Sequence, residues 1–112
     1  MPQTAEDSLR LLRRLRQVRE YTTEPVGDDV LNDILEVGRW SGSGGNRQPT
    51  EVLVVKDADI KKNFGEWGAK PASLGAVALL LVTSSDDAAI DEGRMAERLM
   101  LAANSHGLGA AI

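Results

Sequence analysis

The chain is expected to form one small domain that mixes helix and strand. Three stretches carry helical apolar spacing, two short apolar runs have strand character, and clusters of Gly, Pro, Asp and Ser break the chain between them. By pattern alone, strands alternating with helices point to βαβ units and a parallel sheet. At 112 residues the chain lies at the small end of the single-domain range. It buries only about two-thirds of its unfolded surface, so an interface with another copy would add considerably to its stability.

The first helix is expected over about Ala5–Gln17. Thr4 followed three residues later by Asp7 resembles a capping box, and Leu9, Leu12, Leu15 and Val18 supply the apolar spacing. Arg10, Arg13 and Arg14 lie mostly off that stripe, where a solvated face with pairs to Glu6 and Asp7 is the plain reading. Arg16 and Arg19 fall where the helix gives way to an extended run, Val18–Thr23, ahead of Pro25. Guanidinium groups at such a bend can converge on a phosphate.

Gly27-Asp28-Asp29 supplies a cap and an acidic first turn for a second helix. Leu31, Ile34, Leu35 and Gly38 follow at i, i+3, i+4 and i+7, with Gly38 expected at a close helix contact and the helix ending at Arg39 or Trp40. Trp40 is expected to be buried beneath the loop that follows, with direct stacking on a ligand as the alternative. Glu51–Lys56 reads as a strand, Asp57 opens a short helix carrying Ile60, Phe64 and Trp67, and Gly65–Gly75 reads as a loop. Ala76–Thr83 is apolar on both faces, as a central strand would be. After a break at Ser84–Asp87, a long helix is expected over about Ala88–Ser105, apolar at Ile90, Met95, Leu99 and Met100, the last three as core or interface packing. Gly107 is expected to end it in the left-handed conformation. His106 in its last turn is either a structural charge at the helix end or a catalytic group. Gly109–Ile112 looks like the start of another strand.

Composition removes several chemistries. The chain has no cysteine and one histidine, which excludes disulfides, thiolate metal sites and a cysteine nucleophile. No metal-binding spacing and no catalytic side-chain constellation is evident. The formal charge of −4 argues against general nucleic-acid affinity, while the arginines of residues 10–19 form a locally basic face suited to one small anion. The N-terminus lacks a basic-then-apolar signal pattern and no apolar run approaches a membrane span, so a cytoplasmic protein is expected.

The loop Trp40–Pro49, WSGSGGNRQP, is the most distinctive stretch. Gly42, Gly44 and Gly45 leave little Cβ bulk to hold a flat ligand off the main chain, and Ser43, Asn46 and Gln48 offer donors and acceptors to a heteroaromatic edge. A solvated linker is the alternative. SGSGGN lacks the ending of a P-loop and follows a helix where a dinucleotide loop follows a strand, HGLGAA fails on the same ground, and no GxSxG elbow is present.

Taken together, RQVREYTTEPV (Arg16–Val26), LNDILEVGRW leading into SGSGGNRQP (Leu31–Pro49), EVLVV (Glu51–Val55) and DEGRMAERLMLAANSHGLGAAI (Asp91–Ile112) resemble the nitroreductase family of FMN-dependent oxidoreductases. The resemblance runs from about Ser8 to the end. It implies an α+β, nitroreductase-like fold, with a central β-sheet flanked by helices and incomplete at the C-terminus, as a single partial domain over residues 1–112. Family members are nearly twice as long, so the chain reads as an N-terminal half.

The family motif RRSxR aligns with Leu15–Arg19. By that resemblance Arg16, Gln17 and Arg19 inherit the FMN phosphate, Leu15 stands where the first arginine would be, and Arg13 or Arg14 is the candidate to replace it. Ser43, Gly44 and Asn46 would touch the flavin across a homodimer interface, with Gln48 at its edge or supporting the loop. Thr50 stands where the family carries Trp. The implied activity is hydride transfer from NAD(P)H through FMN to a nitroaromatic, quinone or similar small-molecule acceptor, with no side chain as nucleophile or base and no nucleic acid or membrane involved. The competing expectation is a non-catalytic half-domain that associates with itself or a partner and binds flavin weakly or not at all.

Overall fold

A computed structural model describes residues 4–112, so the sequence expectation about the N-terminus lies, for its first three residues, outside the described residues. Helix α1 spans Ala5–Arg14, α2 Asp28–Arg39, α3 Ala58–Glu66, α4 Lys70–Leu74 and α5 Ala89–Ser105; strands β1 (Thr50–Val55) and β2 (Ala78–Thr83) form the sheet. Short 3₁₀ turns at Gly44–Asn46 and Asp86–Ala88 precede β1 and α5.

The local signals explain most boundaries. Thr4 caps α1 through a capping box: its hydroxyl accepts the Asp7 N–H at 3.1 Å and the Asp7 carboxylate accepts the Thr4 N–H at 3.3 Å. The helix stops at Arg14, three residues before the sequence expectation, because Leu15 is already extended and the Val18 N–H bonds the Ala110 carbonyl at 2.9 Å instead of a helical partner. Asp57 caps α3 by accepting the Asp59 and Ile60 N–H groups. The C-terminal end of α5 closes as a Schellman motif: Leu108 N–H to Ala103 O, Gly107 N–H to Asn104 O, and Gly107 at φ 77°.

Among the described residues the sheet has two strands, antiparallel, in register from Thr50↔Thr83 to Val55↔Ala78. The parallel sheet that pattern alone suggested is therefore corrected. Directly opposed residues share a face, so Val52, Leu79 and Leu81 point inward against the core of Ile34, Leu99 and Ala103, together with Val30, Met95 and Leu108. The opposite face carries Leu53, Leu80 and Val82, which are exposed. Hence β2 begins at Ala78, two residues later than expected, and is covered on one face, where the sequence reading had a central strand covered on both.

Helices α2 and α5 pack closely at Gly38. A methyl group there would lie 2.8 Å from Leu99 Cδ2, so the glycine is required by the approach of a buried leucine. Met100 is buried beside Leu99, as the apolar spacing of α5 predicted, whereas Ile90 is 80% exposed.

Four further expectations are corrected. The expected loop 65–75 contains α4, whose first turn accepts Pro71 because a proline there forfeits no helical hydrogen bond. Residues 109–112 form no regular strand, although Ala110 accepts the Val18 N–H. On α1 no residue is buried: Leu9 and Leu12 are half exposed, so its apolar stripe is only partly covered. Trp40, expected inside, is 72% exposed, because its indole N–H is satisfied locally by Glu36 Oε1 at 2.7 Å and the Arg39 guanidinium stands 5.9 Å from the ring centre.

Candidate functional site

The loop between α2 and β1 is a built structure. It leaves α2 through the Ser41 N–H to Gly38 O, turns with the Asn46 N–H on Ser43 O and the Arg47 N–H on Gly44 O, and meets β1 where the Ser84 N–H holds Pro49 O. Ser43 Oγ accepts the Gln48 N–H at 2.9 Å, and the Gln48 side-chain amide donates to Asn46 Oδ1 at 3.2 Å. Gly45, Asn46 and Gln48 all have positive φ, 61°, 55° and 53°. Such backbone is sparsely populated for residues with a Cβ and persists only where surroundings impose it, which sets this loop apart from a solvated linker.

The N-terminal end of α5 does the imposing. The Gly44 N–H donates to both oxygens of Asp91, at 3.1 and 3.3 Å, and Asp91 Oδ2 lies 3.8 Å from the Arg47 guanidinium. Arg47 also reaches Asp87, 3.5 Å away. The Ser85 hydroxyl on Asp87, then the Arg47 charge, hold the Asp87 carboxyl below its ordinary value. Arg94 lies against Gly42, where a methyl would meet its guanidinium nitrogen at 2.6 Å. Beyond the loop, Thr50 Oγ1 and Thr83 Oγ1 are 2.9 Å apart and Thr83 donates to Glu92 of α5 at 2.5 Å.

The predicted phosphate residues sit elsewhere. Arg16, Gln17 and Arg19 are exposed on the extended segment after α1. Arg16 donates to Arg13 O at 3.4 Å, Gln17 Oε1 accepts the Ile112 N–H at 2.8 Å, leaving the Gln17 NH₂ group to donate outward, and Arg19 makes no ion pair among the described residues. Next to them, Arg14 Nε bonds Asn104 Oδ1 at 3.2 Å near the C-terminal end of α5, so this arginine is already engaged within the fold.

One helix therefore separates the two groups. The loop is fastened at Asp91 and the basic segment at Asn104, thirteen residues on (104 minus 91), which is roughly 20 Å along a helix axis at ~1.5 Å per residue. Within one chain Ser43, Gly44, Asn46 and Gln48 come together in the loop, Arg16, Gln17 and Arg19 share one extended segment, and among the described residues no hydrogen bond or ion pair joins the two sets. His106, the candidate catalytic group, has Nε2 3.3 Å from Asp33 Oδ2 and ties the end of α5 to α2. Sequence reasoning missed Asp91 and Arg94; their i, i+3 spacing on one helix was visible, but nothing local told that this face meets a loop 47 residues earlier.

A residue set of this kind is open to a phosphorylated flat ligand in two respects. Exposed guanidiniums offer bidentate donors to phosphate. At Gly44 an added methyl would lie 3.9 Å from Asp91 Oδ2, an ordinary contact, so the fold by itself does not require glycine there and the space is left for something else.

Helices packed on one face of an antiparallel strand pair, with a basic segment and a glycine loop at opposite ends of one helix, make this an α+β domain. The sequence model of the Nitroreductase family matches residues 12–88. The fold superposes, at a TM-score of 0.88 and 26% identity over 96% of this chain and 67% of the other, on a candidate NADH dehydrogenase/NAD(P)H nitroreductase from Bacteroides thetaiotaomicron. A candidate nitroreductase from Desulfovibrio desulfuricans, solved in complex with FMN, aligns at 0.83 and 29% identity over 96% and 68%. The FMN reductase [NAD(P)H] of Bacillus subtilis is 37% identical over 57 residues, 50% of this chain and 23% of that protein. The chain belongs to the nitroreductase family. It spans about a quarter to just over a third of the length of other curated relatives that it matches.

Proposed function

We propose that two copies of this chain hold FMN between them and serve an oxidoreductase that passes hydride from NAD(P)H to a small-molecule acceptor, a nitroaromatic, a quinone or a similar compound. Arg16 and Arg19 of one copy take the phosphate, with the free NH₂ group of Gln17 as a further donor. Ser43, Gly44, Asn46 and Gln48 of the other copy line the ring. FMN, when bound, supplies the redox chemistry. The chain's own residues bind and orient: the guanidiniums neutralise the phosphate, the Gly44 gap admits the ring, and the side-chain amides of Asn46 and Gln48 offer donors toward negative charge on a ring edge. A cytoplasmic setting is part of the same proposal; among the described residues no helix is long and apolar enough to cross a membrane.

The observation that supports this most is the placement of the two residue sets at opposite ends of α5. One chain leaves each set half a site, and a second copy related by a two-fold axis, its α5 antiparallel to the first, supplies the other half of both sites. The FMN named with the Desulfovibrio relative supports the choice of ligand.

A second reading is favoured by a different observation. A cavity of about 470 Å³, lined among others by Leu79, Leu81, Leu99 and Met100, opens beside the core, and the outer sheet face is uncovered. Surfaces of that kind suit a non-catalytic module that associates with itself or with a partner chain and binds flavin weakly or not at all. Titrating the purified chain with FMN separates the two. A yellow complex with one FMN per chain, sedimenting as a dimer and bleached by NADPH, is expected; colourless protein with no uptake supports the module instead.

A further inference from the structure

We propose that Asp91 is the positioning residue of the glycine loop, deciding which loop donors are left for a ligand; this rests on the flavin-holding reading above. Its side chain is only 11% exposed, and both carboxylate oxygens are turned to the Gly44 N–H. With that N–H committed, and those of Asn46, Arg47 and Gln48 committed to Ser43 O, Gly44 O and Ser43 Oγ, the backbone N–H groups of residues 46–48 are satisfied within the loop and that of Gly44 by α5. Among the described residues the Gly42, Ser43 and Gly45 N–H groups have no such partner.

The consequence for binding is specific. Gly44 contributes space rather than a donor, and the groups left to face a ligand are the Gly42, Ser43 and Gly45 N–H groups, the Ser43 hydroxyl hydrogen, the Asn46 side-chain NH₂ and the second hydrogen of the Gln48 side-chain NH₂. Asp91 also fixes the strained stretch, since holding Gly44 by its N–H sets the entry to the three positive-φ residues at 45, 46 and 48. Arg47, half exposed and shared between Asp87 and Asp91, is a rim partner of this arrangement.

Amide hydrogen exchange and FMN affinity test it together. In the wild-type chain the Gly44 amide should be protected both with and without FMN; protection that appears only on adding FMN would mean the N–H is donated to the ligand and would overturn the assignment. Asp91→Ala should abolish that protection and weaken FMN binding at least about tenfold, the loss expected for one hydrogen bond to a charged acceptor. Arg47→Met should leave Gly44 protected and FMN affinity within about twofold. Equal losses in both variants, or unaltered FMN affinity in Asp91→Ala with Gly44 deprotected, would reject the positioning role. Should the wild-type chain take up no FMN, the flavin-holding reading fails, while exchange at Gly44 in the apo chain still reads the Asp91 bond by itself. If Asp91→Ala does not fold, the wild-type exchange comparison carries the test.

Discussion

Replacing Arg16 and Arg19 together by alanine is expected to weaken FMN binding by a few kcal/mol, about 1.5–3 for each guanidinium lost from a charged hydrogen bond, or at least about a hundredfold in Kd. Arg16 bonds only the Arg13 carbonyl and Arg19 is in no ion pair among the described residues, so little of the fold depends on either. Loss of affinity would therefore report the ligand. Arg10→Ala is the control: that arginine is spent on an exposed pair with Glu6, 3.4 Å away, and should leave affinity unchanged. A double variant binding FMN within threefold of wild type would remove the phosphate role from both arginines.

The second large effect concerns the core. Leu99→Ala should cost about 2–5 kcal/mol, a large share of the ~5–15 kcal/mol by which such domains are stable. Leu99 is 5% exposed and sits where α2, α5 and the inner sheet face meet. Gly38→Ala should also destabilise, since its methyl would collide with Leu99 Cδ2. In the double variant the signs change. With the leucine branch gone, the alanine methyl at 38 occupies vacated space and gains up to ~1 kcal/mol of helix propensity, so Gly38→Ala becomes neutral or stabilising in that background. Strictly additive denaturation free energies would show that the two residues do not share that contact.

Much of the architecture could be read from the chain because its signals are local. Thr4 with Asp7, Gly27 with its aspartates, Asp57 and Gly107 each act on backbone groups within a few residues, and each marks a boundary within about one residue. Gly38 was legible as a close contact because it lies on the apolar stripe of α2. The failures share a cause: they depend on partners remote in sequence or on a choice between two local fates. Trp40 has an apolar ring, yet Glu36 one turn back satisfies its N–H in solvent. Pro71 breaks a helix or begins one with equal local logic. Leu15, Arg16 and Gln17 leave the expected helix where contacts that span the chain take over: Arg14, the last residue of α1, bonds Asn104, Gln17 bonds Ile112 and Val18 bonds Ala110. At the site, the two residue sets were readable as types from spacing and resemblance, but their separation along α5 was not, because only the three-dimensional length of that helix reveals it.

The strand pair has a thermodynamic corollary. Two strands alone are marginal in water, and here they are joined through α3 and α4 and not by a tight turn, so β1 and β2 stay together only while Ile34 and Leu99 press on Val52, Leu79 and Leu81. Strand order is thus borrowed from the helices. When the α2–α5 contact lets go, the sheet has no independent stability to retain, and both kinds of secondary structure should vanish in one cooperative melt.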